Sequence, residues 1–204
     1  MSFDGNRLSA GQLTDFAQVE ALYKTRLKKD FARNELRPLV SLHRSWEKDA
    51  YDCYGLFCGE EILGYAFFVR LGKHYLLDYL AIAEGHRDEG LGSLFLRQLA
   101  DCLREADCVV AEVEDPDKAE DEEQRRQRQR RLQFYLRGGF RETALRSAVF
   151  GAGYRILQVP MGKEYSTDQL MQIYTELYRS ILPQLFFRTR FRAWESQQSP
   201  ERSH

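Results

Sequence analysis

Residues 74–93 read HYLLDYLAIAEGHRDEGLGS, and this stretch decides the fold. Its first half, His74 to Ile82, is an almost continuous apolar run, which is typical of a buried strand. Its second half is a polar loop with Gly90 and Gly92, after which leucines recur at helical spacing up to Leu103. A helix that begins at such a loop offers unpaired backbone N–H groups and the positive end of its dipole to an anion.

The loop matches neither of two common phosphate-binding fingerprints. No Lys-Ser/Thr pair follows Gly92, as a P-loop requires, and Phe95 stands where G-x-G-x-x-G has its third glycine. Because Gly90 and Gly92 lack a Cβ, a ligand can approach the backbone closely, and Ser93 adds a hydroxyl. A pyrophosphate held by backbone amides is the ligand that this pattern favours.

The rest of the chain divides into further strands and helices by hydrophobic period. The predicted strands are 54–58, 62–70, 74–82, 108–114, 141–149 and 154–159. The predicted helices are 13–23 with a cap at Ser9 or Thr14, 39–48, 91–103, 117–137, and 167–192 with a break at Pro183. The order of elements indicates an α/β fold that contains an antiparallel hairpin near its start.

The composition excludes several classes of protein. Of the 204 residues, 43% are hydrophobic and 30% are charged, which is ordinary for a globular chain and unlike collagen or disordered proteins. The 30 basic and 31 acidic side chains give a formal net charge of -1. We therefore expect neither nucleic acid nor an acidic membrane to be a partner.

Cysteine and histidine spacing gives no sign of a metal site. The four cysteines form no CxxC pair, and the four histidines are scattered. We expect free thiols in a reducing compartment and no bound metal. The first residues, MSFDGNRLSAGQ, lack the apolar core of a secretory signal, and no apolar run is long enough to span a membrane, so we expect a cytoplasmic protein.

Two motifs resemble those of the GNAT superfamily of N-acetyltransferases. Leu80-Ala81-Ile82 followed by Arg87-Asp88-Glu89-Gly90-Leu91-Gly92 is similar to its acetyl-CoA motif, a Leu-Ala-Val strand end and then Gln/Arg-x-x-Gly-x-Gly/Ala. Phe134-Tyr135-Leu136-Arg137-Gly138-Gly139-Phe140 resembles its second signature, Tyr-x-x-x-Gly-Phe. The resemblance covers about residues 5–160. It implies a GNAT-like mixed, mostly antiparallel central sheet flanked by helices, followed by a C-terminal helical extension.

The resemblance also implies how acetyl-CoA binds. The backbone of the strand end would hold the pantetheine arm, and the amides of the loop and helix start would hold the pyrophosphate. The implied cofactor-binding residues are Leu80, Ala81, Ile82, Arg87, Asp88, Glu89, Gly90, Leu91, Gly92 and Ser93. The family often has a glycine where Asp88 stands, a proline where Glu84 stands, and an asparagine near Arg128. Asp88 and Glu89 add negative charge beside a phosphate site, so their side chains must point to solvent.

Tyr135 matches the general acid of the family, which protonates the leaving CoA thiolate. The alternative is that Tyr135 is a core aromatic residue of an amphipathic helix. A general base is also needed, and Asp78 and Glu112 are equal candidates, with Glu114 behind them. A carboxylate in an apolar strand is costly unless it is functional or paired. The alternative for each is an ion pair with a neighbouring arginine or a position open to water.

Residues 114–131 form a run of acids followed by arginines, which suits the dipole of a long, self-paired helix. The sharper hypothesis is that the arginine half, with Arg128, reaches the 3′-phosphate of CoA. Apolar residues recur at helical spacing over 170–185, and a basic aromatic segment follows at 186–194. We expect these segments to pack on the core or to form a homodimer interface, with a membrane contact as the alternative.

These expectations combine into one prediction of organisation and activity. We predict a GNAT acetyltransferase domain over 1–162, a helical extension over 163–195 and a disordered tail over 196–204. The activity is transfer of acetyl from acetyl-CoA to the primary amine of a small molecule by direct attack in a ternary complex. The alternatives are a RimI-like enzyme that acts on a protein N-terminus and a non-catalytic module that binds or senses CoA. The first helices, near 31–46, are expected to shape the acceptor site.

Overall fold

The structure is a computed structural model that describes residues 8–33 and 35–196. The chain divides into two compact units. The first comprises the chain up to Arg70 together with Leu77–Arg104, and the second comprises Leu71–Leu76 and the chain from Glu105 onward. Each unit has its own strands and helices.

The first unit has four strands in the order β1-β2-β3-β4, and β2 pairs antiparallel with both β1 and β3. The strands are β1 (Leu8–Gln12), β2 (Tyr51–Cys58), β3 (Glu61–Leu71) and β4 (His74–Ile82), the last of which begins in the second unit. The helices are α1 (Phe16–Leu22), which a π-helical turn at Tyr23–Leu27 joins to the short α2 (Lys28–Asp30), then α3 (Leu39–Glu47) and α4 (Leu91–Cys102).

The core of the first unit is rich in aromatic side chains. Tyr65, Phe67 and Phe95 are fully buried, with Phe95 coming from α4. The α4 helix is tied to β1 by Gln98, whose amide accepts from the Ala10 N–H at 2.7 Å and donates to the Leu8 carbonyl at 3.0 Å. These bonds and the buried aromatic area fix the start of α4 relative to the strands.

The second unit has four strands in the order β5-β7-β6-β8, and the pairs within it are antiparallel. The strands are β5 (Cys108–Glu114), β6 (Arg141–Val149), β7 (Ala152–Pro160) and β8 (Phe191–Glu195). The helices are α5 (Glu122–Arg137), α6 (Thr167–Ile181) and α7 (Gln184–Arg190). A capping box of Ser166 and Gln169 begins α6, whose residues Leu170, Tyr174 and Leu177 are buried.

The predicted fold class is confirmed: the chain is a mixed α/β protein with mostly antiparallel strands, flanking helices and a C-terminal helix. The predicted strands 74–82, 108–114 and 141–149 match their observed bounds. The limits of the predicted acetyltransferase domain and extension remain a prediction. Residues 197–204 of the predicted tail lie outside the described residues, while Ser196 donates its N–H to the Ala144 carbonyl at 2.7 Å.

The two ends of the chain contain strands that the hydrophobic pattern did not predict. Leu8–Gln12 forms β1 on β2, and Asp15 rather than Ser9 or Thr14 caps the following helix. The segment Phe191–Glu195 forms β8 on β6 instead of prolonging a helix. Both strands have only five residues, and each is an edge strand. Their conformation therefore depends on pairing with a distant strand more than on local propensity.

The charged segment is helical over a shorter range than expected. A 3-10 turn at Pro116–Lys118 follows β5, and the helix α5 begins only at Glu122. Asp121 is the N-cap, because its carboxylate accepts from the Gln124 N–H at 2.7 Å. Glu122 does pair with Arg126 at 3.6 Å, as helical spacing predicts.

Replacing Gly64 with alanine should destabilise the first unit. A Cβ on Gly64 in β3 would lie 2.6 Å from Ile82 Cδ1 and 3.2 Å from the Ala81 carbonyl. We expect Gly64→Ala to lower the free energy of unfolding by about 1–3 kcal/mol, measured by urea denaturation. Gly162→Ala, where the added Cβ meets no atom closer than 3.6 Å, is the control. Equal stability of the two variants would contradict this packing.

Candidate functional site

The loop between β4 and α4 has the geometry of an anion site. Gly90 adopts φ +79°, a left-handed conformation that favours glycine, and a Cβ there would meet nothing within 4 Å. The Leu94 N–H donates to the Gly90 carbonyl at 3.1 Å and begins the helical hydrogen bonding. The amides of Leu91, Gly92 and Ser93 precede that bond, so the helix itself does not use them. The loop thus presents unused backbone amides at the predicted place, and their binding of a pyrophosphate remains a prediction.

The Arg87 side chain anchors this loop. Its guanidinium contacts the Asp30 carboxylate at 2.6 Å and donates to the Ile82 carbonyl at 3.2 Å. Asp30 also accepts from the Tyr65 hydroxyl at 2.8 Å, and burial together with this bond raises the pKa of Tyr65. The guanidinium therefore holds the loop, while the Arg87 backbone N–H donates to the Glu84 carbonyl at 3.5 Å.

Asp88 adopts φ +65°, a conformation in which glycine is preferred. This explains why the resembled family often has a glycine at this place. Asp88 and Glu89 are both exposed, as a phosphate site beside them requires, and Glu89 lies 3.5 Å from His86 Nδ1. The left-handed turn keeps the Asp88 carboxylate in solvent.

Asp78, one of the predicted bases, lies on β4 in a cluster of polar side chains. Its carboxylate accepts from the Tyr51 hydroxyl and from Arg37 Nη1, the latter at 3.2 Å. Burial lowers the pKa of Arg37, but Asp78 and nearby phenols outweigh burial, so that pKa is raised. Burial and the Asp78 charge raise the pKa of Tyr51 well above its ordinary value. Asp78 thus forms an ion pair with Arg37, which is the alternative to a role as general base.

Glu112, the other leading candidate, lies on β5 and is contacted by hydroxyl groups. Tyr174 and Tyr178 of α6 both donate to its carboxylate, Tyr178 at 2.6 Å, and Ser147 of β6 lies at 3.5 Å. Burial and the neighbouring Glu112 charge raise the pKa of Tyr174 well above its ordinary value. The Glu112 residue itself is half-buried. The sequence predicts the carboxylate but not these partners.

Glu114 and Arg128 form an ion pair with each other. Arg128 Nη2 lies 3.1 Å from Glu114, Arg131 lies 3.1 Å from the other carboxylate oxygen, and Arg128 also donates to the Asp115 carbonyl at 3.1 Å. The contact of Arg128 with the 3′-phosphate of CoA remains a prediction, and it would require the guanidinium to bind phosphate beside Glu114.

Tyr135 lies near the C-terminal end of α5. Gly139 follows at φ +93°, the conformation that ends many helices, and Phe140 packs edge-on against the Tyr135 ring at 5.3 Å. The Tyr-x-x-x-Gly-Phe signature is therefore a helix end closed by an aromatic contact. Burial raises the pKa of Tyr135 to about 12, although nearby Arg131 lowers it. Within residues 8–33 and 35–196, no hydrogen bond of the Tyr135 hydroxyl is found.

Comparison with protein families identifies the chain. The Acetyltransferase (GNAT) family matches residues 17–122, just over half of the chain, including the β4–α4 loop. The chain belongs to the GNAT acetyltransferase family. As a GNAT protein it is an acyltransferase, and its acyl donor is acetyl-CoA. The backbone cradle at the start of α4 fits the pyrophosphate of this donor.

Solved structures of GNAT proteins share this fold at low sequence identity. The ribosomal-protein-S18-alanine N-acetyltransferase from Escherichia coli is 16% identical with a TM-score of 0.56, over 78% of this chain and 97% of that one. A protein from Bacteroides thetaiotaomicron assigned to the GNAT family is 19% identical with a TM-score of 0.67, over 87% and 98%. A GNAT acetyltransferase from Elizabethkingia anophelis, with acetyl-CoA bound, is 15% identical with a TM-score of 0.53, over 76% and 99%. No curated protein sequence matches the chain.

Several residues of these clusters escape prediction from the sequence. Tyr174 and Tyr178 belong to an apolar stripe at helical spacing, so they read as core residues. Their four-residue spacing is the available signal, because it places two phenols on one helix face. Arg37 and Tyr51 are distant in sequence from Asp78, and no local pattern joins them.

The described part of the chain has neither a membrane-spanning helix nor a cluster of metal ligands. Within it, no helix is both long and apolar enough to span a bilayer. No group of three or more histidine, cysteine and acidic side chains there is arranged to bind a metal ion. Cys53, Cys58, Cys102 and Cys108 are free thiols.

Tyr135 should make protein stability fall at alkaline pH. Because its pKa is raised to about 12 in the folded state and lies near ~10 when unfolded, its contribution is complete below pH ~10 and is lost as pH rises towards 12. We expect the free energy of unfolding to fall more steeply between pH 10 and 12 for wild type than for Tyr135→Phe, measured by urea denaturation. Parallel curves would contradict the raised pKa, since the other tyrosines are common to both proteins.

Proposed function

We propose that this GNAT protein transfers acetyl from acetyl-CoA to the primary amine of a small molecule, by direct attack in a ternary complex. The amine nitrogen forms a bond to the thioester carbonyl carbon, the carbon–sulfur bond breaks, and CoA leaves as a thiolate. The amine loses a proton to a carboxylate base, and the thiolate gains one from an acid. The observation that carries the proposal is the backbone cradle at Gly90–Ser93 in a member of this family.

The donor would be held by the main chain of the first unit. The amides of Arg87–Ser93 would bind the pyrophosphate, and the backbone of Leu80–Ile82 would pair with the pantetheine arm. The Arg87 contact with Asp30 supports this role, because it holds the loop without using an amide.

Glu112 is the base that we favour over Asp78 and Glu114. The described partners of Asp78 and Glu114 include arginines, and a guanidinium donates hydrogen bonds but cannot accept one. Protonating either carboxylate would therefore cost a charged hydrogen bond. The hydroxyls around Glu112 can both donate and accept, so they can serve its ionised and its protonated form.

Tyr135 would be the acid. A pKa of about 12 keeps its phenol protonated throughout the physiological range, so the proton is available. A free thiol titrates near ~8.5, so a phenol with this raised pKa is a weaker acid than the CoA thiol that the proton transfer would form. The role therefore depends on close contact between the hydroxyl and the leaving sulfur.

A protein N-terminus is the second candidate acceptor. The E. coli enzyme among the solved structures acts on the alanine of ribosomal protein S18, as its name states, and it has the same fold. The helices near 31–46 would shape the acceptor site in either case. The cytoplasmic location and a homodimer through the C-terminal helix belong to the same proposal as expectations.

Acetyl-CoA should stabilise the protein, and Gly90 should be needed for this effect. At 100 times its dissociation constant a ligand adds about 2.7 kcal/mol to the free energy of unfolding. An alanine at Gly90 would be strained at φ +79° and would displace the amides, so we expect Gly90→Ala to weaken acetyl-CoA binding at least tenfold in calorimetry. Gly85→Ala, where a Cβ meets nothing within 4 Å and φ is not in the left-handed region, is the control. Absence of any thermal shift at millimolar acetyl-CoA would refute the donor site.

Glu112→Gln should reduce turnover much more than it reduces stability. We expect kcat to fall roughly 10²-fold or more, as for loss of a general base, while acetyl-CoA binding is retained. The measurement is release of free CoA thiol with spermine, kanamycin, single amino acids and an alanine-initiated peptide as acceptors. Acetylation of the peptide alone would favour the N-terminal alternative.

Asp78→Asn and Tyr135→Phe complete the test. Asp78→Asn should lower stability through its contacts with Arg37 and Tyr51 and affect kcat less than Glu112→Gln. Tyr135→Phe should lower kcat with acetyl-CoA binding intact. A larger loss of kcat in Asp78→Asn than in Glu112→Gln would exchange their roles, and unchanged turnover in Tyr135→Phe would remove that phenol from the reaction.

A further inference from the structure

We infer that the C-terminal helix α6 contributes to catalysis, because its residues Tyr174 and Tyr178 position the carboxylate of Glu112. This inference rests on the proposed role of Glu112 as the base. The helix lies outside residues 17–122, the part of the chain that the family matches.

The two phenols converge on one carboxylate from a single helix face. Tyr174 and Tyr178 are four residues apart, so their side chains lie side by side, with ring centroids 5.2 Å apart. Both hydroxyls donate to Glu112, one to each oxygen of the carboxylate. Two donors on two oxygens fix the rotation of the carboxylate as well as its position, which a single bond would not do.

The phenols are themselves held by buried contacts. Tyr174 is fully buried and its hydroxyl contacts Ser147 Oγ at 2.8 Å, so Ser147 links it to β6. Phe191 of β8 stacks on the Tyr178 ring at 4.6 Å and packs against Tyr174 at 5.5 Å. The capping box at Ser166 fixes the start of α6, and β8 pairs with β6 after the helix. The helix that carries the phenols is thus tied at both ends.

Hydroxyl partners suit a carboxylate that changes its protonation state. When Glu112 takes the proton of the amine, its own O–H can donate to a phenol oxygen, because a phenol hydroxyl can accept as well as donate a hydrogen bond. The proton can then leave to solvent when the acetylated product departs. The carboxyl group can therefore keep hydrogen bonds with these hydroxyls in both protonation states.

The matched test removes one hydroxyl and keeps the ring. We expect Tyr178→Phe to lower kcat roughly tenfold, with KM for acetyl-CoA and the Kd for acetyl-CoA unchanged, because only the placement of the base is disturbed. The acceptor is the most active amine of the panel, or water in acetyl-CoA hydrolysis if no amine is turned over. Thr143→Val, which removes a buried hydroxyl bonded to the Ile156 carbonyl at 2.8 Å in the same unit, is the control and should retain wild-type kcat.

A double-mutant cycle separates positioning from structure. If Tyr178 acts through Glu112, then Tyr178→Phe in the Glu112→Gln background should leave kcat unchanged, although each single variant lowers it. The inference would be overturned if Tyr178→Phe lowered kcat by the same factor in the wild-type and the Glu112→Gln proteins. It would also be overturned if Thr143→Val lowered kcat in proportion to its loss of stability. A different result would refute the proposed role of Glu112 as the base: Glu112→Gln would keep wild-type kcat, whatever the effect of Tyr178→Phe.

Discussion

A half-buried carboxylate must replace its lost water with protein donors, and each of the two units contains carboxylates that do so. Asp78 is contacted by Arg37 and Tyr51. Glu112 is contacted by two phenols and a serine hydroxyl, and Glu114 by two arginines. Each carboxylate thereby fixes a different element: the segment before α3, the helix α6 and the helix α5.

The chemical type of the donor affects which protonation state of a carboxylate is stabilised. Arginine donors stabilise only the ionised form, so they suit a carboxylate that holds elements together. Hydroxyl donors suit a carboxylate that takes and gives up a proton. Glu112 and Glu114 lie two residues apart on β5, and their described contacts differ: hydroxyls contact Glu112, and two arginines contact Glu114.

Much of this architecture follows from local sequence. The apolar run at 74–82 and the glycines after it predict the strand, the loop and the helix start at their observed places, because each depends on neighbouring residues. The short strands at 8–12 and 191–195 depend on pairing with distant segments, and local propensity does not reveal them. The same division applies to the candidate site: Glu112 is predicted as a carboxylate in an apolar strand, whereas the contacts of Tyr174 and Tyr178 with it depend on tertiary structure.

The left-handed Asp88 has a consequence for the electrostatics at the start of α4. An aspartate in place of the usual glycine restricts the loop's conformations before folding, but it also places a carboxylate next to the helix start, with Glu89 beside it. Both side chains are exposed, so their repulsion of an incoming pyrophosphate extends over roughly a Debye length, about 8 Å at physiological ionic strength. These two charges therefore oppose the approach of any anion to the start of α4, and added salt weakens that opposition.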